Sequence, residues 1–119
     1  MVLVDTSVWV AHLRHGKVGL NPLLTEGQVV CHPFVIGELA CGNLKNRSEI
    51  LVHLQNLPQA ILAQNEEVMH LIDSYSLMGK GLGYIDMHLL ASVRLTMVPL
   101  WTLDKKLNEV AVKLELALY

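Results

Sequence analysis

Four acidic side chains stand in positions where a charge is unusual. Asp5 directly follows a run of three apolar residues, and Asp104 lies three residues after the apolar stretch Val98–Trp101. Asp86 shares a predicted helical face with apolar side chains, and Glu38 is the only charged residue in the stretch 32–43, where His32 is counted as neutral. A carboxylate is costly to bury among apolar groups unless it has a partner. These four acids are therefore the first candidates for chemistry.

Carboxylates that gather in one pocket repel each other, so some take up protons unless a cation lies among them. Oxygen ligands of this kind suit Mg²⁺ or Mn²⁺ rather than zinc. A divalent ion held in this way can activate water, orient a phosphodiester and stabilise the leaving oxygen. The sequence leaves open whether one ion or two would bind.

Each acid also has a structural alternative. Asp5 and Asp104 stand where aspartate often caps the N-terminus of a helix. Asp86 could be a favourable charge in the first turn of a helix, and Glu38 could point to solvent. These alternatives are weaker when the four acids are considered together, because all of them lie near strand ends or on helices that could converge there.

The elements that must position the acids alternate between strands and helices. The predicted strands are Val2–Val4, Gln28–Cys31, Ala60–Leu62 and Val98–Trp101, with a short edge strand at Leu116–Tyr119. The predicted helices are Thr6–Leu13, Asn21–Glu26, Phe34–Cys41, Arg47–Asn56, Glu66–Leu77, Tyr84–Leu95 and Lys105–Leu114. Such alternation predicts an α/β fold, in which a mainly parallel sheet of four to five strands is covered on both faces by helices. Sites in open sheets of this kind form beyond the carboxyl ends of the strands.

Composition bounds the classes of protein that fit. The 119 residues predict one domain over 1–119, and 52% hydrophobic residues provide a substantial core. The net charge of −2 does not indicate a broadly basic nucleic-acid binder, so any RNA contact must come from local basic residues or metal ions. No apolar run approaches the roughly 18 to 20 residues of a membrane helix, and the first residues lack the pattern of an export signal. We therefore expect a cytoplasmic protein with Cys31 and Cys41 as reduced, buried thiols.

Four motifs, taken together and in order, resemble the PIN-domain family and, within it, the VapC toxins of bacterial toxin–antitoxin pairs. They span nearly the whole chain and read LVDTSVWVAHLR, HPFVIGELACG, GLGYIDMHLLASV and LWTLDKKL. The resemblance implies a three-layer α/β/α fold and endonuclease activity on RNA that depends on Mg²⁺ or Mn²⁺.

The resemblance also assigns roles to residues. Asp5 and Asp86 match the acids most often taken as direct metal ligands, while Glu38 and Asp104 would bind a second ion or orient water. Polar residues that hydrogen-bond this cluster are matched by Thr6 or Ser7 and by Thr102. Water would attack phosphorus and the 3′ oxygen would leave, which gives a 5′-phosphate end.

The family further implies partners. These are a VapB-type antitoxin that blocks the site, an RNA substrate and a second copy of the chain in a homodimer. Contact with DNA is implied only through the antitoxin, and no membrane contact is implied.

Lys106 is a departure from the pattern, because many relatives have another acid two residues after the fourth. It could instead meet an RNA phosphate or remain a solvated surface lysine. Further candidates for phosphate contact are Arg14, Lys17, Lys45, Arg47 and Lys80.

Rival assignments fit the residues less well. A haloacid-dehalogenase-type phosphatase needs a second aspartate two residues after the first, where this chain has Ser7. A phosphorylation-receiver domain needs an aspartate that closes its third strand, where this chain has Ala63 and Gln64. A catalytically silent PIN-like scaffold that only binds RNA or a protein partner predicts the loss of at least one acid, and all four are present.

Overall fold

The computed structural model describes residues 1–16 and 18–119, so the predicted phosphate contact of Lys17 lies outside the described residues. Three strands form a sheet: β1 (Val2–Val4), β2 (Val29–Val30) and β3 (Leu100–Trp101). The helices are α1 (Thr6–His15), α2 (Leu20–Thr25), α3 (Pro33–Ala40), α4 (Arg47–Gln55), α5 (Asn65–Ser74), α6 (Tyr84–Thr96) and α7 (Lys105–Lys113).

The sheet is parallel, and β1 is its central strand, in the order β2-β1-β3. Successive side chains of a strand point to opposite faces, and all three residues of β1 are buried. Both faces of the sheet are therefore covered, as parallel sheets require. The predicted α/β fold with helices on both faces is confirmed.

Three regular strands form instead of the predicted four to five, because the two outer segments are reduced to single bridges. Gln59 forms a single parallel bridge with Cys31 next to β2, and Leu118 forms one with Leu100 next to β3. The predicted strand Ala60–Leu62 is wrong as a regular strand, since pairing occurs one residue earlier and ends at once. These outer segments pair on one side only, and Pro58 has no N–H to extend the ladder.

The order of the strands explains where a site can form. After β1 the chain forms β2 along one edge of β1, and it later forms β3 along the opposite edge. This reversal leaves a crevice outside the carboxyl ends of the strands, which is the usual position of ligand sites in open α/β sheets. Asp5 follows β1 directly, and Asp104 lies three residues after β3.

The two cysteines differ in their exposure to solvent. Cys31 is buried, but Cys41 is exposed at the end of α3, so the expectation that both thiols are buried is wrong for Cys41. Among the described residues, no helix is long and apolar enough to cross a membrane.

A buried polar pair joins two helices inside the core. The His32 Nδ1 accepts a hydrogen bond from the backbone N–H of Phe34 at 3.0 Å, so His32 caps α3. The other ring nitrogen, Nε2, is 2.9 Å from the Ser92 Oγ in α6. Because Nδ1 accepts, Nε2 carries the proton of the neutral ring and donates it to Ser92. Burial, and secondarily the charge of His88, lower the pKa of His32 from 6.5 to about 4.

This histidine predicts a pH dependence of stability. Between pH 4 and 6.5 the unfolded chain binds a proton at His32 that the folded chain does not, so stability is present above this window and is lost as pH falls through it. The free energy of unfolding should decrease by about 2 kcal/mol from about pH 7 to about pH 5. The His32→Asn variant, which keeps a capping oxygen but does not titrate, should lose most of this dependence in urea unfolding. Replacing the exposed His15 by Asn should leave it intact, and an equal loss in both variants would contradict the assignment.

Candidate active site

Asp5 lies at the centre of the candidate site, at the junction of β1 and α1. It is the most buried of the four acids, with 7% of its surface exposed. Its Oδ2 accepts hydrogen bonds from the Thr102 hydroxyl at 2.6 Å, the Ser7 hydroxyl at 2.7 Å and the Ser7 N–H at 3.4 Å. The Ser7 bond makes Asp5 the N-cap of α1. The sequence predicted this capping role as an alternative to chemistry, but the two are compatible because capping occupies only one carboxylate oxygen.

Asp104 occupies the equivalent position after β3. Its Oδ1 accepts from the backbone N–H groups of Lys106 and Leu107 at 2.9 and 3.1 Å, so Asp104 caps α7. Its own N–H donates to the Thr102 Oγ1 at 3.0 Å. The Thr102 hydroxyl therefore links the two capping aspartates, and its oxygen also lies 3.2 Å from the Ser7 hydroxyl.

Asp86 reaches the site from the first turn of α6. Its Oδ2 accepts from the Gly83 N–H at 3.1 Å, which ties the side chain back to the start of the helix. Burial raises the pKa of Asp86, the Gly83 hydrogen bond opposes this, and the negative charges of Asp5 and Asp104 raise the pKa further. Asp5 and Asp104 therefore lie close enough to Asp86 to disfavour its negative charge.

Glu38 lies on the other side of Asp5, on the second turn of α3. It is exposed, and its Oε1 accepts from the Thr6 hydroxyl at 2.7 Å. Thr6 follows Asp5 directly, so this bond connects α3 to the start of α1, two helices that pack against each other. Glu38 is not among the charges that raise the pKa of Asp86. The structure thus brings the three aspartates together and holds Glu38 at their edge through Thr6.

The four acids share one pattern of hydrogen bonding. Each uses a single oxygen for bonds to the protein, and its second oxygen has no hydrogen-bond partner among residues 1–16 and 18–119. Carboxylate oxygens left in this way are suitable donors for a hard divalent cation. No three of the acidic, histidine or cysteine side chains in the described ranges converge closely enough to enclose one ion. Mg²⁺ fits this more open arrangement, because it usually binds through one or two carboxylates and keeps several water molecules.

An aromatic cluster borders the acids on the α6 side. His88 lies between Phe34 and Tyr84, with ring centroids 4.6 and 4.7 Å away. Its Nε2 is 3.0 Å from the Tyr84 hydroxyl, which in turn donates to the Asn65 side chain. The sequence did not single out this link between α5 and α6, since Asn65 and Tyr84 form no recognisable motif.

The sequence also missed how Asp86 is held. The donor is the backbone N–H of Gly83, which has no side chain to indicate a capping interaction. By contrast, Thr102, Ser7 and Thr6 were assigned by resemblance alone, and the structure places each within hydrogen-bond distance of one of the acids.

Comparison with known proteins identifies relatives of this arrangement. The model of the PIN domain family matches residues 2–113. Ribonuclease VapC32 from two strains of Mycobacterium tuberculosis is 46% identical to this chain over 109 residues, which cover 91% of this chain and 88% of the relative.

The Thr102 hydroxyl provides a test of how the site is held. In Thr102→Val the shape is kept, but buried Asp5 loses its shortest hydrogen bond and the Asp104 N–H loses its acceptor. We expect a loss of about 1 to 3 kcal/mol in the free energy of unfolding, measured with urea at neutral pH. The control is Thr25→Val on the exposed end of α2, which should change stability by less than about 0.5 kcal/mol. Equal stability of both variants would show that Thr102 does not hold Asp5.

Proposed function

This chain belongs to the PIN domain family, and from that premise we propose that it is a VapC-type toxin endoribonuclease with its active site at Asp5, Asp86, Asp104 and Glu38. The observation that carries the proposal is the set of four carboxylates at the carboxyl edge of a parallel sheet, each with one oxygen that has no hydrogen bond to the described part of the chain. A relative that is 46% identical over 91% of the chain is named a ribonuclease, which supports RNA as the substrate. The unit that acts is a single PIN domain over residues 1–119.

We assign the direct metal ligands to Asp5 and Asp86. Asp5 is fixed on one oxygen by the Thr102 and Ser7 hydroxyls, so its second oxygen is pre-oriented. Burial and neighbouring charges already raise the pKa of Asp86, which means that its charged form gains from a nearby cation. A bound Mg²⁺ or Mn²⁺ supplies positive charge that offsets the acids and stabilises negative charge on the phosphodiester.

The other two acids position the water and complete the site. Glu38 Oε2 and Asp104 Oδ2 lie at the more exposed edge, where each can accept a proton from a water molecule or contribute to a second ion. The water oxygen forms a bond to phosphorus and the bond from phosphorus to the 3′ oxygen breaks, which leaves a 5′-phosphate. Thr6 and Thr102 act as positioning residues, since each holds an acid by a hydrogen bond.

We further propose that a VapB-type antitoxin occupies a cavity of about 490 Å³ next to Glu38. Thr6 and Glu38 form its end towards the acids, and its walls combine apolar, basic and amide side chains. The apolar lining comprises Val10, Leu13, Leu39, Leu44 and Ile50, with Arg14 and Lys45 as the basic members. A segment bound there would cover Glu38 and so block the site. We also propose that the chain acts in the cytoplasm as a homodimer. It would contact DNA only through the antitoxin.

The chain offers a matched control for the acid site, because it has only four aspartates and Asp73 lies exposed on α5, away from the others. Antitoxin-free protein should cleave total cellular RNA at discrete positions with Mg²⁺ or Mn²⁺ and not with EDTA. Asp5→Asn should reduce cleavage at least about a hundredfold, since even outer partners of a metal site account for about 10- to 100-fold. Asp73→Asn removes the same charge and should cleave like the unaltered chain.

Metal binding, measured by calorimetry with Mn²⁺, distinguishes the proposed enzyme from a catalytically silent scaffold. The unaltered chain and Asp73→Asn should bind the ion, and Asp5→Asn should bind it more weakly. An absence of both cleavage and metal binding in the unaltered chain would favour a scaffold that only binds a partner. Undiminished cleavage by Asp5→Asn would instead place the active site elsewhere.

A further inference from the structure

A second cavity lies on the α7 side of the acids and takes no part in the site described above. Its volume is about 190 Å³ and its lining consists of Leu77, Lys80, Lys106, Glu109, Val110 and Lys113. We refer to it as the lysine cavity. Leu77 and Val110 are buried and form an apolar floor, whereas the charged residues are exposed at the rim.

The lysine cavity concentrates positive charge in a chain that is negative overall. Three of the chain's six lysines line it, against one glutamate, although the whole chain carries a net charge of −2. Within the described ranges, none of these lysines has a carboxylate within 4.0 Å, and the one such contact between a basic and an acidic side chain joins His53 to Glu49 on α4. The three ammonium groups are therefore available to an external anion.

The backbone connects this cavity to the acids on two sides. The backbone N–H of Lys106 donates to the Asp104 carboxylate, so Lys106 of the cavity and Asp104 of the acid site lie in the same first turn of α7. The Lys106 ammonium lies against Gly81, where an added Cβ would come within 2.8 Å of Nζ. Gly81 is in the loop before α6, and Gly83 of that loop holds Asp86. The same two segments therefore form one edge of the acid site and one edge of the lysine cavity.

We propose that the lysine cavity binds backbone phosphates of the RNA strand next to the phosphate that is cleaved. The inference rests on the proposed ribonuclease function and extends it from the scissile bond to the path of the strand. Lysine is a compact point charge that attracts phosphate without reading bases, so this contact would position RNA of any sequence. Lys106 and Lys113 are seven residues apart on α7, roughly 10 Å along the helix axis, so the lysines extend away from the acids.

RNA is favoured over an acidic protein segment as the occupant because the cavity adjoins the acids. A polyanion that must bring one phosphate to a cluster of carboxylates is repelled there, and neighbouring positive charge offsets this repulsion for the same strand. An acidic peptide would be attracted by the lysines, but no interaction with Asp104 would favour its binding at this position.

Binding can be measured without cleavage, using a labelled mixed-sequence single-stranded oligoribonucleotide in EDTA. The slope of log affinity against log salt concentration, between about 50 and about 200 mM, should become shallower by about 0.7 for each lysine that contacts a phosphate. We expect this change in Lys80→Gln and in Lys113→Gln. Lys105→Gln is the control, since Lys105 is exposed on the same helix but does not line the cavity. Unchanged slopes in the cavity variants, or an equal change in the control, would overturn the inference and leave an acidic protein as the alternative occupant.

Cleavage kinetics distinguish failure of this inference from failure of the function itself. On an oligoribonucleotide that carries the cleavage site of the unaltered chain, the two cavity variants should raise KM about fivefold at about 0.1 M salt and keep kcat within about twofold. Normal KM in both variants of a chain that cleaves RNA would reject the lysine cavity alone. No cleavage by the unaltered chain under any metal condition would reject the proposed function, and the lysine cavity with it.

Discussion

The hydrogen bond from the Thr102 hydroxyl to Asp5 joins two positions that are 97 residues apart in the chain. Asp5 is a carboxylate with little contact to water, and a buried charge is tolerated only when donors replace the water it has lost. The hydroxyls of Thr102 and Ser7 are those donors, and they all act on one oxygen. The Asp5 N–H also donates to the Trp101 carbonyl at 2.9 Å, which keeps the ends of β1 and β3 side by side. Because these bonds fix the carboxylate, its remaining oxygen has a defined position.

The other three acids also accept hydrogen bonds from the protein on one carboxylate oxygen only. Asp104 caps α7 with one oxygen, Asp86 is tied to Gly83 by one oxygen, and Glu38 accepts from Thr6 with one oxygen. With Asp5 included, three of the four acids lie at the N-termini of α1, α6 and α7, where the positive ends of the helix dipoles lower the cost of negative charge. The offset is incomplete, since burial, and after it the charges of Asp5 and Asp104, still raise the pKa of Asp86. The site therefore retains an unbalanced negative charge that a cation would relieve.

The sequence predicted most of this architecture because the signals were local. The apolar run before Asp5 and the alternation of strands and helices determine the sheet and place two acids at its carboxyl edge. The outer strands were predicted poorly, since Gln59 and Leu118 each contribute one bridge and so leave almost no periodic pattern. The buried pair of His32 and Ser92 could not be predicted, because it joins residues 60 positions apart that belong to different motifs. Likewise, nothing in Gly83 indicates that its N–H would hold Asp86.

The net charge of −2 disfavours a nucleic-acid binder when the sequence is considered alone. The structure shows that the positive charges are concentrated near the candidate site. Charge acts over a distance of about 8 to 10 Å at physiological salt, so the local arrangement matters more than the total. Six of the eleven acids lie outside the candidate site and both basic-lined cavities, at positions 26, 49, 66, 67, 73 and 115. On one side of the acid site are Lys80, Lys106 and Lys113, and on the other are Arg14 and Lys45. A strand that crosses the site would therefore meet positive charge before and after the carboxylates, which is the condition under which a polyanion can approach an acidic centre.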